Sequence, residues 1–158
     1  MSAAPLTLTC NSPDATSRVA RTLAQHLAPG DTILLAGDVG AGKTHFTRAT
    51  ILSLLDAPED VPSPTYTLVQ TYHATPGELW HADLYRLTDT SEIEELGLSA
   101  AFTDAICLIE WPDRLGPLTP PDALTITFTA PGAEDVRTLT FTWTDAKWPA
   151  KLESLANV

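Results

Sequence analysis

Residues 37–44 read Gly37-Asp38-Val39-Gly40-Ala41-Gly42-Lys43-Thr44 and match the phosphate-binding pattern G-x-x-x-x-G-K-[ST] at every fixed position. The pattern has a mechanism. Glycines without Cβ let successive backbone N–H groups turn inward around phosphate oxygens, a lysine supplies a point charge for the terminal phosphates, and a Ser/Thr hydroxyl ligates Mg²⁺. The surroundings have the order such a loop needs. Thr32-Ile33-Leu34-Leu35-Ala36 is a short apolar, β-favouring run behind Pro29-Gly30, and predicts a buried strand feeding the loop. Downstream, Phe46, Ala49, Leu52 and Leu55 recur at threes with no Gly or Pro before Pro58, which predicts a helix with that stripe inward and its N-terminus aimed at the phosphates. An ordinary glycine-rich turn would not require this strand, loop and helix together. The residues expected to hold nucleotide phosphates are therefore 37 to 44, with Lys43 as the charged group and Thr44 on the metal.

A chain of 158 residues is long enough for one hydrophobic core without disulfides, and residues 1–158 are expected to form one domain. Cys10 and Cys107 fit no metal-ligand spacing and are expected to be buried, inert thiols. The first basic residue is Arg18, no apolar signal-like segment precedes it, and no run is long enough to span a bilayer, so a cytoplasmic protein without a membrane partner is expected. The net charge of −11 disfavours a primary nucleic-acid binder, so any RNA should arrive through a partner.

Ser12-Pro13-Asp14 opens a helix whose stripe is Val19, Ala20, Leu23, Ala24 and Leu27. Val61-Pro62-Ser63-Pro64-Thr65 is a stiff extended loop able to act as a switch. Tyr66 to Tyr72 and Leu79 to Tyr85 read as a hairpin turned at Thr75-Pro76-Gly77. Ser91-Glu92-Ile93-Glu94 has capping-box spacing and starts a short helix stopped by Gly97. The continuous apolar run 105–109 marks a strand buried on both faces, ending at Glu110. Leu124 to Thr129 and Arg137 to Trp143 alternate as half-buried antiparallel strands, and a last helix carries Trp148, Leu152 and Leu155. The expected fold is α/β with a mixed parallel and antiparallel sheet.

Triphosphate hydrolysis needs an acid near the Mg²⁺, usually at the end of a strand beside the loop, and Glu110 stands at such an end. Its alternative is a solvated acid capping a strand. Trp111 either shields the site or simply packs. Asp83 shares a strand face with His81 and Tyr85 by the period-two rule, while Arg86 projects oppositely. That face is either a site or the solvated side of a hairpin. Thr65, on the proline-rich loop, is either a hydroxyl brought to the γ-phosphate or a turn threonine. The four histidines lack close ligand spacing, which disfavours zinc. Asp113-Arg114-Leu115-Gly116 fits D-x-x-G, yet no guanine-reading N-K-x-D or T-K-x-D follows, and adenine is favoured. A small-molecule kinase is the competing reading. Against it, the six arginines are scattered and do not form a lid.

Together the phosphate loop, Ser63-Pro64-Thr65-Tyr66-Thr67-Leu68-Val69, His81-Ala82-Asp83-Leu84-Tyr85-Arg86-Leu87, Glu95-Leu96-Gly97 and Ile109-Glu110-Trp111-Pro112 resemble the TsaE (YjeE) family. These are small bacterial ATPases of tRNA threonylcarbamoyladenosine (t6A) biosynthesis. The likeness runs from about Ser12 to Arg137, with Ala82 where an aromatic is usual and His45 where a second threonine is common. The resemblance implies a three-layer P-loop fold, ATP as nucleotide, and Mg²⁺ held by Thr44 and Glu110. It also implies Lys43, Asp83, Thr65 and Glu110 as catalytic members. The implied partners are TsaB and TsaD, which carry out the transfer to tRNA, this chain being the ATP-driven accessory.

Overall fold

The apolar runs on either side of the glycine-rich loop become neighbours. Thr32–Ala36 (β2) and Ile106–Glu110 (β5) pair in parallel, and every residue of β5 is buried. A continuous apolar run suits only a strand covered on both faces. The computed structural model describes residues 5–38, 41–57, 59–62, 64, 68–130, 132 and 135–157. Val39, Gly40 and Thr65, expected in the site, lie outside the described residues, as does part of the strand expected from Tyr66.

The remaining strands are β1 (Leu6–Cys10), β3 (Val69–Ala74), β4 (Gly77–Asp83), β6 (Leu124–Thr129) and β7 (Arg137–Thr142), in the sheet order β1-β7-β6-β2-β5-β4-β3. The four middle strands, β6, β2, β5 and β4, are mutually parallel, while β7, β1 and β3 join antiparallel at the edges. The mixed sheet expected from sequence is thus present. The helices are α1 (Pro13–Ala24), α2 (Lys43–Leu54), α3 (Ser91–Glu95), α4 (Leu98–Asp104) and α5 (Trp148–Leu152). Ser12 caps α1 by accepting from the Ala15 N–H at 3.1 Å, with Pro13 in the first turn.

Period-two alternation divides the core into two layers. Ile33 and Leu35 of β2, Leu79 of β4, and Ile106 and Leu108 of β5 face Val19, Leu23, Phe46, Ile51 and Trp148 of the helices on one side. Leu34, Ala82, Cys107 and Ile109 face Ile93, Leu98, Ala101 and Leu115 on the other. The sheet is therefore the middle of three layers.

Two expectations need correction, and two features went unanticipated. Leu52 is half exposed, and α2 instead buries Phe46, Thr47, Thr50, Ile51 and Leu54. The strand expected to run to Tyr85 stops at Asp83, because the Asp83 Oδ1 accepts the Tyr85 N–H at 3.0 Å and folds the chain into a turn. Gly97, expected only to stop α3, also starts α4, which takes a left-handed φ of 83° at that glycine. β1 was not anticipated, although Leu6-Thr7-Leu8-Thr9-Cys10 alternates and pairs in full with β7.

Both cysteines are unpaired and buried, as expected, and burial pushes the Cys107 thiol up to about 12. The C-terminal helix is tied to the N-terminal end of β2. Buried Asp31 accepts Lys151 at 2.6 Å, Lys147 at 3.1 Å and the Ala28 N–H at 2.9 Å. Burial pushes Lys147 down, but hydrogen bonds to Asp122 and Asp31 outweigh it and hold the ammonium above its ordinary pKa. That contribution is complete below the ordinary lysine value of 10.5 and is lost as pH rises through the raised native value. Asp31→Ala is expected to cost about 1–3 kcal/mol, discounted because both lysines reach solvent, and its deficit against wild type should shrink in alkaline thermal melts. An equal melting temperature at pH 7 would show that the tie contributes nothing.

Candidate nucleotide-binding site

The carboxyl end of a parallel sheet opens where connections leave to opposite sides, and β2 occupies that place. Two glycines shape the loop that follows it. At Gly37, φ is 138°, and a Cβ would stand 2.6 Å from the Phe128 carbonyl oxygen of β6, so any side chain collides with backbone. At Gly42, φ is 105° at the N-terminus of α2. Between them the Ala41 N–H returns to the Asp38 carbonyl at 3.1 Å. The helix then begins with Lys43 and Thr44, which line the cleft; among the described residues no side chain caps it, and its positive dipole end lies at the cleft.

Strand register delivers the acids. Asp83 and Glu110 are direct partners across the parallel β4–β5 pair, and Leu35 of β2 is opposite Glu110 on the other side. The pleat turns residues 79, 81 and 83 of β4, and 106, 108 and 110 of β5, toward the layer that contains α2. The Glu110 carboxylate therefore meets the first turn of α2, where Thr44 Oγ1 donates to Glu110 Oε1 at 3.2 Å. Glu110 is 2% exposed, which excludes a solvated acid capping the strand. His81 and Asp83 are buried too, so this face is not the solvated side of a hairpin. His81 Nε2 donates to Glu110 Oε2 at 2.7 Å.

Lys43 lies in the same pocket. Its Nζ donates to the Gly37 carbonyl at 2.5 Å and sits 3.7 Å from the centre of the Trp111 ring. Burial lowers the Lys43 pKa, against the raising effect of the negative charges of Glu110, Asp83, Asp38 and Asp113. Trp111 adopts a left-handed φ of 59° directly after β5, and its ring lies 4.8 Å from that of Tyr85. The two aromatics wall one side of a cleft of about 580 Å³. The cleft is also lined by Pro13 and Thr16 of α1, by Arg137 at the start of β7 and by Asp135 just before it. The Arg137 stem passes close to Gly42, where a Cβ would meet it at 3.7 Å. Sequence reading placed none of these four residues in the site, since only the order of β7 and β6 beside β2 carries β7 there.

The donor set suits a hard cation. Thr44 and Glu110 offer oxygen ligands 3.2 Å apart, and among the described residues no group of three or more His, Cys, Asp and Glu could hold a metal alone. Mg²⁺ typically takes one or two protein oxygens and completes its shell with water and phosphate.

A glycine-rich loop between a central parallel strand and a buried helix, with acids at the neighbouring strand ends, defines a P-loop α/β protein. Comparison narrows the class. The profile of the family described as "Threonylcarbamoyl adenosine biosynthesis protein TsaE" matches residues 10–139, and the chain belongs to that family. A Bacillus subtilis protein named tRNA threonylcarbamoyladenosine biosynthesis protein TsaE is 35% identical over 91% of this chain and 89% of its own length. A Rickettsia conorii protein of the same name is 45% identical over 72% of this chain, but the match spans only 65% of that relative. The crystal structure of Bacillus subtilis YdiB superposes with a TM-score of 0.79 at 29% identity, covering 99% of this chain and 97% of that one.

Proposed function

We propose that this chain is a Mg²⁺-dependent ATPase serving t6A modification of tRNA, with Thr44 and Glu110 holding the metal and Lys43 the β- and γ-phosphates. Asp83 and the loop hydroxyl of Thr65 complete the catalytic set, and residues 37 to 42 cradle phosphate. The observation that carries the reading is the Thr44–Glu110 contact, which joins the phosphate-loop helix to a buried acid on the adjacent strand. Bound Mg²⁺ would neutralise charge developing on the phosphates. The chain's own residues orient the triphosphate, keep the acid aimed at the metal and exclude water behind Trp111. The pathway assignment is supported by the names of the family and its relatives.

Within that pathway the chain is the accessory to TsaB and TsaD, which handle the tRNA. Its net charge of −11 supports indirect contact with RNA, and work on tRNA suits the cytoplasm. Among the described residues no helix is long and apolar enough to cross a membrane.

Basal hydrolysis is expected to be slow and to rise when TsaB and TsaD are added, because a partner that favours the hydrolysis-competent arrangement of the site raises its population. In calorimetry ADP should bind more tightly than GDP. Depleted cells should lose threonylcarbamoyladenosine from tRNAs reading codons that begin with A, as measured by mass spectrometry of digested tRNA. Unchanged t6A would remove the pathway assignment. A phosphorylated metabolite in its place would favour a small-molecule kinase.

A further inference from the structure

Glu110 has two carboxylate oxygens with different partners. Oε1 accepts Thr44 Oγ1 at 3.2 Å, and Oε2 accepts the His81 ring at 2.7 Å. A carboxylate oxygen only accepts, so the His81 proton facing it is on Nε2. The other ring nitrogen, Nδ1, is buried without a hydrogen-bond partner among the described residues. The imidazole is 1% exposed and comes from the strand beside Glu110, and among the described residues its polar contact is with that carboxylate. A histidine held there for packing alone would be better replaced by an apolar side chain, since an unpaired ring nitrogen is costly to bury.

We infer that His81 is a positioning residue for Glu110: its Nε2–H holds Oε2, fixes the carboxylate rotamer, and leaves Oε1 aimed at Thr44 and at the cation the two would share. The inference rests on the proposed role of Glu110. The physical effect is that of an outer hydrogen bond on a metal-ligating carboxylate, which restricts its rotation and so lowers the entropy lost when the metal binds. Phosphate binding by the loop does not pass through this contact.

The test uses full-length protein and two amides of similar polarity. The side-chain N–H₂ of His81→Gln reaches toward the place of Nε2, whereas that of His81→Asn reaches only to the place of Nδ1. ADP affinity in EDTA is measured by calorimetry, and Mn²⁺ affinity of the ADP-loaded protein by electron paramagnetic resonance, beside wild type and Glu110→Gln. ADP affinity without metal should agree within about twofold between wild type and the two His81 variants, while His81→Asn should lose about 10–100-fold in Mn²⁺ affinity and His81→Gln recover most of it. Equal Mn²⁺ affinity in the Asn variant and wild type, with Glu110→Gln impaired, overturns the positioning role and leaves the metal reading standing. Normal Mn²⁺ affinity in Glu110→Gln removes the metal reading itself. Equal losses in the Gln and Asn variants also overturn the role, since position of the donor would not matter. Wild-type ¹⁵N spectra of the ring give a check free of substitution: the Nε2–H tautomer is expected, and an Nδ1–H tautomer contradicts it.

Discussion

Lys43→Met is expected to fold at least as stably as wild type and to lose ATP turnover by about 10²–10³-fold, the cost typical of deleting one preorganised group that stabilises transition-state charge. The two effects have a common origin. Lys43 is 4% exposed, and burial lowers its pKa despite four neighbouring carboxylates. Between that lowered native value and the ordinary 10.5, the unfolded chain binds more protons than the folded one, so wild-type stability rises with pH through this window. At pH 7 the charged ammonium is therefore carried at a cost. Methionine keeps the stem and removes the charge, and the rise of melting temperature with alkaline pH should be smaller in the variant. The buried cation is retained for its ligand, with the Gly37 carbonyl and the Trp111 face as its partners in this structure. In cells the variant should not restore t6A after depletion. Turnover equal to wild type would remove the phosphate-loop reading altogether. A marked drop in melting temperature would show instead that the lysine supports the fold.

The loop itself was legible because its constraint is local: Gly37 and Gly42 need their φ values whatever the rest of the chain does. β5 was equally legible, as five consecutive buried positions leave an unbroken apolar run that ends on Glu110. The inward face of α2 was misread for a specific reason. Thr47 and Thr50 are fully buried, their hydroxyls satisfied by the carbonyls of Lys43 at 2.8 Å and Phe46 at 3.0 Å. Each back-bond lets a polar residue face the core, so counting apolar residues moved the stripe onto Leu52. The contacts of His81, Asp83 and Glu110 lie one level higher. They depend on the parallel register of β4 against β5, with Asp83 opposite Glu110, and no local pattern specifies a register between strands so far apart. The same holds for Arg137, which enters the cleft through the order of edge strands.

The buried acids give the second large effect. Glu110→Gln and Asp83→Asn are expected to keep metal-free ADP binding and lose turnover by about 10²-fold or more, as removal of a carboxylate that holds the metal or orients the attacking water requires. The two carboxylates are cross-strand partners behind the first turn of α2, yet their contacts differ. Glu110 meets Thr44 and His81 through side-chain atoms, so its amide replacement keeps the shape, loses the charge and offers the metal a weaker ligand. Asp83 Oδ1 also accepts the Tyr85 N–H at 3.0 Å, which ends β4 and sets the turn bringing Tyr85 against Trp111. Asparagine retains a carbonyl oxygen for that bond, so the turn should survive in Asp83→Asn. Asp83→Ala should lose turnover and also loosen the aromatic wall, visible as altered Trp111 fluorescence against a Trp111→Phe control. Ordinary turnover by Glu110→Gln would refute its part in the chemistry. An early-melting Asp83→Asn with normal specific activity would assign that carboxylate's charge to stability and not to the chemistry, because a group acting on metal or water cannot be neutralised without slowing the step it serves.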